Sequence, residues 1–148
     1  MFFKSVTDIL TKASNLNEDL AWLLSIDNGV KKEIIKLNTI DQLRDNGIDS
    51  LGNSLGDYDE ISVEVFGKRP GHIQLKDTSE FYNSFVVLVR KDSFVIRANT
   101  FNQSPDGTVN VTDRFGESII GLTDENLEVI TQMILTNIIK YVKNQLGI

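Results

Sequence analysis

Apolar residues recur three and four apart through the first third of the chain and two apart in its middle, so helices are expected to precede a sheet. Val6, Ile9, Leu10 and Ala13 define a first amphipathic helix. Asn15 and Glu18 then form a capping-box pattern ahead of Leu20, Leu23 and Leu24, which starts a second. Gly29 breaks or bends the run. A further helix is expected from about Val30 to Arg44, carrying Val30, Ile34, Leu37, Ile40 and Leu43 near one face, and Asn46-Gly47 stops it.

From Ile48 to Glu60 the residues read as a loop, with Gly52, Gly56 and scattered Asp and Asn. Ile61, Val63 and Val65 alternate with Ser62 and Glu64, the mark of a half-buried strand, and Gly67-Lys68-Arg69-Pro70-Gly71 reverses the chain into a hairpin through Ile73 and Leu75. Phe85-Val86-Val87-Leu88-Val89 is an uninterrupted apolar run, which predicts a central strand buried on both faces. Lys91-Asp92-Ser93 turns it into an antiparallel partner with Phe94, Ile96 and Ala98. Asn99 to Gly107 reads as a loop and Thr108 to Thr112 as a short edge strand. A long helix follows, capped by Thr123, with Asp124 and Glu125 in its first turn, Lys140 and Lys143 near its end and Gly147 beyond.

These elements predict one α+β domain over residues 1–148. N-terminal helices occupy 1–46, an antiparallel β-sheet of four to five strands built from hairpins occupies 61–112, and the C-terminal helix occupies 123–146. On that last helix Leu127, Ile130, Ile134, Ile138 and Tyr141 make one face. Leu135, Ile139 and Leu146 lie a quarter turn or more away, which is more apolar arc than one packing surface requires. They form a candidate subunit contact.

A chain of 148 residues suits a single core. Its net charge of -6 and lack of a basic cluster argue against general nucleic-acid binding and favour basic partners or a wall that repels DNA. With no cysteine there is no disulfide framework, thiol chemistry or Cys-based zinc site. The start of the chain lacks the charge order of a signal peptide, and no run approaches the ~18 apolar residues of a membrane span. The expectation is a soluble protein made in a reducing cytoplasm, in which the sequons at Asn102 and Asn110 are chance.

Catalytic patterns are weak. His72 is the lone histidine, so any triad or imidazole base must use it; Gly52-Asn53-Ser54-Leu55-Gly56 has the letters G-x-S-x-G, but it falls in a stretch read as loop and not at the strand-to-helix turn that a nucleophile elbow requires. Asp49, Asn53, Asp57, Asp59 and Glu60 gather oxygens without the spacing of a calcium loop, and Asp57 with Asp59 or Glu60 is the only carboxylate pairing to weigh. No phosphate-cradling loop occurs. Lys68 and Arg69 are a candidate basic turn, and Trp22 among leucines reads as core. The chain is therefore read as a non-enzyme without metal or cofactor.

One local pattern has mechanical meaning. In Leu75-Lys76-Asp77-Thr78-Ser79-Glu80-Phe81-Tyr82-Asn83-Ser84-Phe85, Asp77 and Glu80 can cap a single helical turn that stacks Phe81 on Phe85 at the entry to the strand. The segment resembles a block of the phage virion-morphogenesis family, the tail-completion and head-tail joining (neck connector) proteins of tailed bacteriophages. There an apolar strand end is followed by D-T-G-x-L-x-x-S and another strand. Asp77, Thr78 and Ser84 match, while Ser79 stands for the glycine and Phe81 for the leucine, as in a divergent member. Upstream, Gly52, Leu55 and Tyr58 resemble the family's G-x-x-[LW]-x-x-[LY] loop, and Lys68 to Gly71 falls where a basic, glycine-bearing segment precedes the D-T block.

The resemblance covers about residues 30 to 100 and implies a virion structural protein, made in the bacterial host cytoplasm. It would assemble as a ring with itself and dock to portal, neck or tail proteins, around a channel through which DNA passes without sequence-specific contact. An acidic cytoplasmic adaptor or toxin-immunity module that binds a basic protein is the alternative that length and charge also fit.

Overall fold

Helix boundaries in this chain follow from where short polar side chains reach the unpaired amides of a first turn. The computed structural model describes residues 2–58, 64, 71–75, 79–104 and 107–148. Helix α1 spans Phe2–Ser14 and α2 spans Glu18–Ser25. The cap of α2 is Asn17 and not Asn15, with its side-chain oxygen accepting from the Leu20 amide at 3.0 Å. Glu18 thereby opens the helix, where its charge complements the macrodipole. Asp27 caps α3 (Asn28–Lys36) in the same way, accepting from the Val30 amide at 2.9 Å. The break expected at Gly29 therefore falls before it, and Gly29 lies inside the first turn of α3.

Helix α3 runs on into a π-helix, Leu37–Asn46, which ends where Gly47 takes the left-handed conformation at φ 60°. The Thr39 hydroxyl donates to the Ile35 carbonyl at 2.7 Å, a bond that competes with the backbone ladder and loosens it. This wider segment carries Asn38 and Gln42, both fully buried. They face the extended backbone of residues 119–123. Asn38 Nδ2 donates to the Ile119 carbonyl at 2.9 Å and its Oδ1 accepts from the Gly121 amide at 2.8 Å. Gln42 Nε2 donates to the Gly121 carbonyl at 2.8 Å and its Oε1 accepts from the Thr123 amide at 2.9 Å.

Two side-chain amides thus do for this stretch what a neighbouring strand would do, satisfying alternate backbone groups where water is excluded. Asn126 Nδ2 donates to Gln42 Oε1 at 3.0 Å and to Asp41 Oδ2 at 2.9 Å, which fixes the start of the last helix to the same support.

That helix follows a short α-helix α5 (Val111–Phe115) and a 3₁₀ turn, Glu117–Ile119. It spans Asp124–Leu146 and is α6 here; Thr123 caps it and Gly147 closes it at φ 73°. Its Ile130 and Ile134 pack with Ile26, Val30, Ile34 and Val87. Asn137 donates to the Ser25 carbonyl at 2.8 Å and holds the α2–α3 link. A second apolar cluster gathers Leu43, Phe81, Tyr82, Phe85, Val111 and Ile119, and half-buried Ile35 and Ile96 touch both clusters.

After the single turn α4 (Glu80–Asn83) come four strands: β1 Val86–Val89, β2 Phe94–Arg97, β3 Phe101–Ser104 and β4 Gly107–Asn110. The mixed helix-and-sheet class and the long C-terminal helix agree with the sequence reading, but the single sheet of four to five strands does not. Among the described residues β1 pairs antiparallel with β2 and β3 with β4, in two separate two-stranded sheets. Accordingly β1 is not a central strand: it has one neighbour, and Val86 and Leu88 stand exposed on its outer face. Phe101–Ser104, expected in a loop, is a strand. The expected edge strand ends at Asn110, whose side chain caps α5 by accepting from the Thr112 amide at 3.1 Å.

Of the expected strand Ile61–Val65 only Glu64 is among the described residues, and it is helical there, not extended. The strand's proposed partner, Ile73, pairs instead with the glycine loop, donating to the Gly56 carbonyl at 2.8 Å, while the Tyr58 amide donates to the Gly71 carbonyl at 2.9 Å.

Gln42 is fully buried and bonds to Gly121, Thr123 and Asn126, so Gln42→Met is expected to cost about 3 kcal/mol by leaving their donors and acceptors unmet. Urea unfolding should show a lower midpoint at unchanged slope; a change within ~0.5 kcal/mol, the range of an ordinary surface substitution, would show that the amide ladder is not what holds this segment.

Candidate docking surface and motif residues

Among the described residues the motif positions fall on the glycine loop and on the turn that leads into β1. Asp77 and Thr78 of the D-T block lie outside the described residues, as do Asp59, Glu60, Lys68 and Arg69. Immediately after the D-T pair, Ser79 sits at φ 63°, the left-handed region that favours glycine, and Leu75 is at φ 56° on the other side of the undescribed stretch. The expected helical turn forms as α4, but its N-cap residue is Ser79, which makes no side-chain cap bond, so Glu80 is the first residue of the turn and not the third, as an Asp77–Glu80 capping box would have it. Phe81 is buried and meets Phe85 edge to face, with ring centroids 5.0 Å apart and planes at 71°.

Ser84 joins this turn to the end of the β1–β2 hairpin: its Oγ donates to the Phe81 carbonyl at 2.6 Å and accepts from the Asn99 amide at 2.8 Å. Only a short side chain that both donates and accepts can serve both groups. Tyr82 donates from its hydroxyl to the Gln74 carbonyl, and burial pushes that hydroxyl above the usual phenol range, the Arg44 charge opposing the shift.

In the glycine loop, Gly52 takes φ 81° with open space around it, Leu55 packs on the second apolar cluster, and the Tyr58 hydroxyl accepts from the Gln74 amide at 3.3 Å. Asp49 is buried as an organiser of this loop and does not face solvent as a cation ligand. Its Oδ1 accepts from the Leu51 and Asn53 amides, both at 2.9 Å, and its Oδ2 accepts from the Ser118 hydroxyl at 2.8 Å. Among the described residues no group of three or more His, Asp or Glu is placed to hold a metal ion.

His72 lies against the end of the π-helix, with Nε2 2.7 Å from the Arg44 carbonyl. A Cβ added at Gly47 would come within 2.5 Å of its ring, so Gly47 is needed both for its positive φ and for this close approach. Among the described residues every buried side-chain nitrogen or oxygen has a partner.

Several large apolar side chains remain exposed. Leu135 and Ile139 of the candidate contact are exposed on α6, while Leu146 is half-buried near the helix end. Leu127, which the periodicity placed on the core face, is exposed as well. Between α6 and β2 runs an open groove of about 710 Å³, lined among others by Trp22, Phe94, Ile96, Leu127, Leu135 and Ile138. Asp92 is the single ionisable group on its lining. Trp22 is fixed there by its indole N–H, which donates to the Arg90 carbonyl at 2.7 Å, and its ring packs on the first apolar cluster.

Sequence periodicity pointed to Leu135 and Ile139, but it gave no sign that β2 forms one wall of the groove, or that Val86 and Leu88 stay uncovered. An unbroken apolar run reads the same whether its second face is covered within the chain or by another molecule. No family model, curated protein or solved structure matches this chain.

Ser79→Gly is expected to stabilise the protein by about 0.5 to 1 kcal/mol, since glycine removes the left-handed penalty and returns part of it as unfolded-chain entropy. Gly47→Ala should lose about 2 kcal/mol or more through the clash with His72 and the positive φ. Urea melts of the two variants should move in opposite directions; a destabilised Ser79→Gly would mean that the left-handed geometry carries no strain.

Proposed function

We propose that this chain is a structural component of a tailed-phage or prophage particle, of the tail-completion or head-tail connector kind, acting by ring assembly and docking to portal, neck or tail proteins. The observation that carries the reading is the apolar surface left uncovered on regular elements: Leu135 and Ile139 on α6, Val86 and Leu88 on β1, and the groove beside β2. Side chains of this kind on rigid helices and strands suit a permanent contact with another subunit, where their burial contributes stability.

The motif blocks support the same reading. Their order along the chain agrees with the family pattern, and the position where that pattern has glycine is one where this backbone takes a left-handed conformation. A ring needs heterologous contacts, in which one patch meets a different patch on the neighbour and the rotation closes. An overall charge of -6 suits a lumen along which DNA slides.

Light scattering and negative-stain microscopy of the full chain, alone and mixed with portal or tail protein, test this. Closed rings are expected, and Leu135→Asp with Ile139→Asp should abolish them while leaving the thermal unfolding of the subunit within a few degrees, because both side chains are exposed. A chain that stays monomeric under all of these conditions, yet forms a tight one-to-one complex with a basic protein at a rate falling steeply with salt, would overturn the reading in favour of an acidic adaptor or immunity module.

A further inference from the structure

Two incomplete sheets in one chain carry complementary edges. In the β1–β2 hairpin the Arg90 amide donates to the Ser93 carbonyl at 2.8 Å, and the register pairs Leu88 with Val95 and Val86 with Arg97. By the alternation of an antiparallel ladder, Val95 and Arg97 spend their backbone groups on β1, whereas those of Phe94 and Ile96 point outward along the groove. In the second hairpin the Val111 amide donates to the Thr100 carbonyl at 2.9 Å, and Asn102 opposes Val109. The same alternation turns the backbone groups of Thr108 and Asn110 in β4 outward. Among the described residues these outward groups of β2 and β4 meet no backbone partner.

The second hairpin also lacks support of its own. A two-stranded ribbon is marginal in water, and beyond each other β3 packs on α4 alone to any extent while β4 packs on no further element comparably. Phe101 and Val109 stand 58% and 50% exposed on it. The β1–β2 ribbon has the matching lack: Val86 and Leu88 are 48% and 40% exposed on its outer face, and the groove lies open under its inner one.

We infer that a second copy of this chain supplies the missing strand: the β4 edge of one subunit pairs antiparallel with the β2 edge of the next, giving a four-stranded sheet β1-β2-β4-β3 that crosses the interface. The inference rests on the ring reading and names its contact. The outward groups match when Phe94 opposes Asn110 and Ile96 opposes Thr108, which sets Val95 opposite Val109. In that register Val109 joins Leu88 and Val95 in one row on the outer face. Phe101 falls in the row of Val89 and Phe94 on the inner face, over the groove beside Leu127 and Leu135.

Both exposed side chains of the hairpin are covered by one placement, and neither strand carries a charge in the paired stretch Phe94–Ile96 with Thr108–Asn110. The contact is heterologous, since β2 of one copy meets β4 of another, so it repeats from subunit to subunit until the ring closes.

Cysteine pairing tests this cleanly, because the chain has no native cysteine. Val95 and Val109 would form a non-hydrogen-bonded pair with Cα atoms about 4.5 Å apart, within the span of a disulfide. Under mild oxidation a mixture of Val95→Cys and Val109→Cys chains is expected to give 95–109 dimers in preference to either homodimer, and the double variant a covalent ladder. Thr108→Pro removes an outward amide without touching the β3–β4 pairing, and Val109→Lys alters an exposed side chain; each should weaken association about tenfold or more at unchanged subunit melting temperature. If rings form but 95–109 linkage is no better than the homodimers, or both edge variants assemble normally, this contact is overturned while the ring reading stands. A chain that remains monomeric with portal and tail proteins present overturns both.

Discussion

The exchange between two buried side-chain amides and one stretch of extended backbone organises this protein. Asn38 and Gln42, themselves fully buried, take up the carbonyls of Ile119 and Gly121 and the amides of Gly121 and Thr123. An unmet backbone group there would cost about as much as a lost hydrogen bond several times over, so the two amides decide where residues 119–123 can run. Everything beyond follows in order. Thr123 caps α6, Asn126 ties its first turn back to Gln42 and Asp41, and Ile130 and Ile134 then reach the cluster around Ile26, Val30 and Ile34.

The same kind of support commits other polar side chains to the backbone: Asp49 holds its own loop, Ser84 joins α4 to the end of the β1–β2 hairpin, and His72 meets the end of the π-helix. Apolar side chains also face outward on rigid elements, on α6, on β1 and along β2. The proposed assembly would cover those faces, and the outward backbone edges of the two short ribbons are where it would complete a sheet.

Much of this was legible in the periodicity. The spacing of Ile130, Ile134 and Ile138, with Thr123 before and Gly147 after, located α6, and the turn at Lys91-Asp92-Ser93 made β1 and β2 antiparallel partners. The stack of Phe81 on Phe85 also followed from four-residue spacing. The misreadings share a cause. The capping-box spacing points to Asn15 because it is a pattern of letters, whereas the cap is whichever oxygen reaches the Leu20 amide, here that of Asn17. Phe101–Ser104 was read as loop because a strand paired only to its own hairpin need not alternate apolar and polar residues.

By itself the sequence determined the strongest local elements: the N-terminal helices, the β1–β2 hairpin, the start and stop of α6, and that α6 carries more apolar arc than one face. Those properties depend on residues a few positions apart, and spacing records them. Only the tertiary structure decided that the strands divide into two ribbons, that a run of five apolar residues keeps one face open, and that Asn38 and Gln42 support a segment some 80 residues away in the chain, at separations of 79 to 83. An amide side chain reads identically on a solvated face and in a buried ladder. Which of the two it becomes is set by the backbone that arrives opposite it, and that is fixed by the packing of the whole chain.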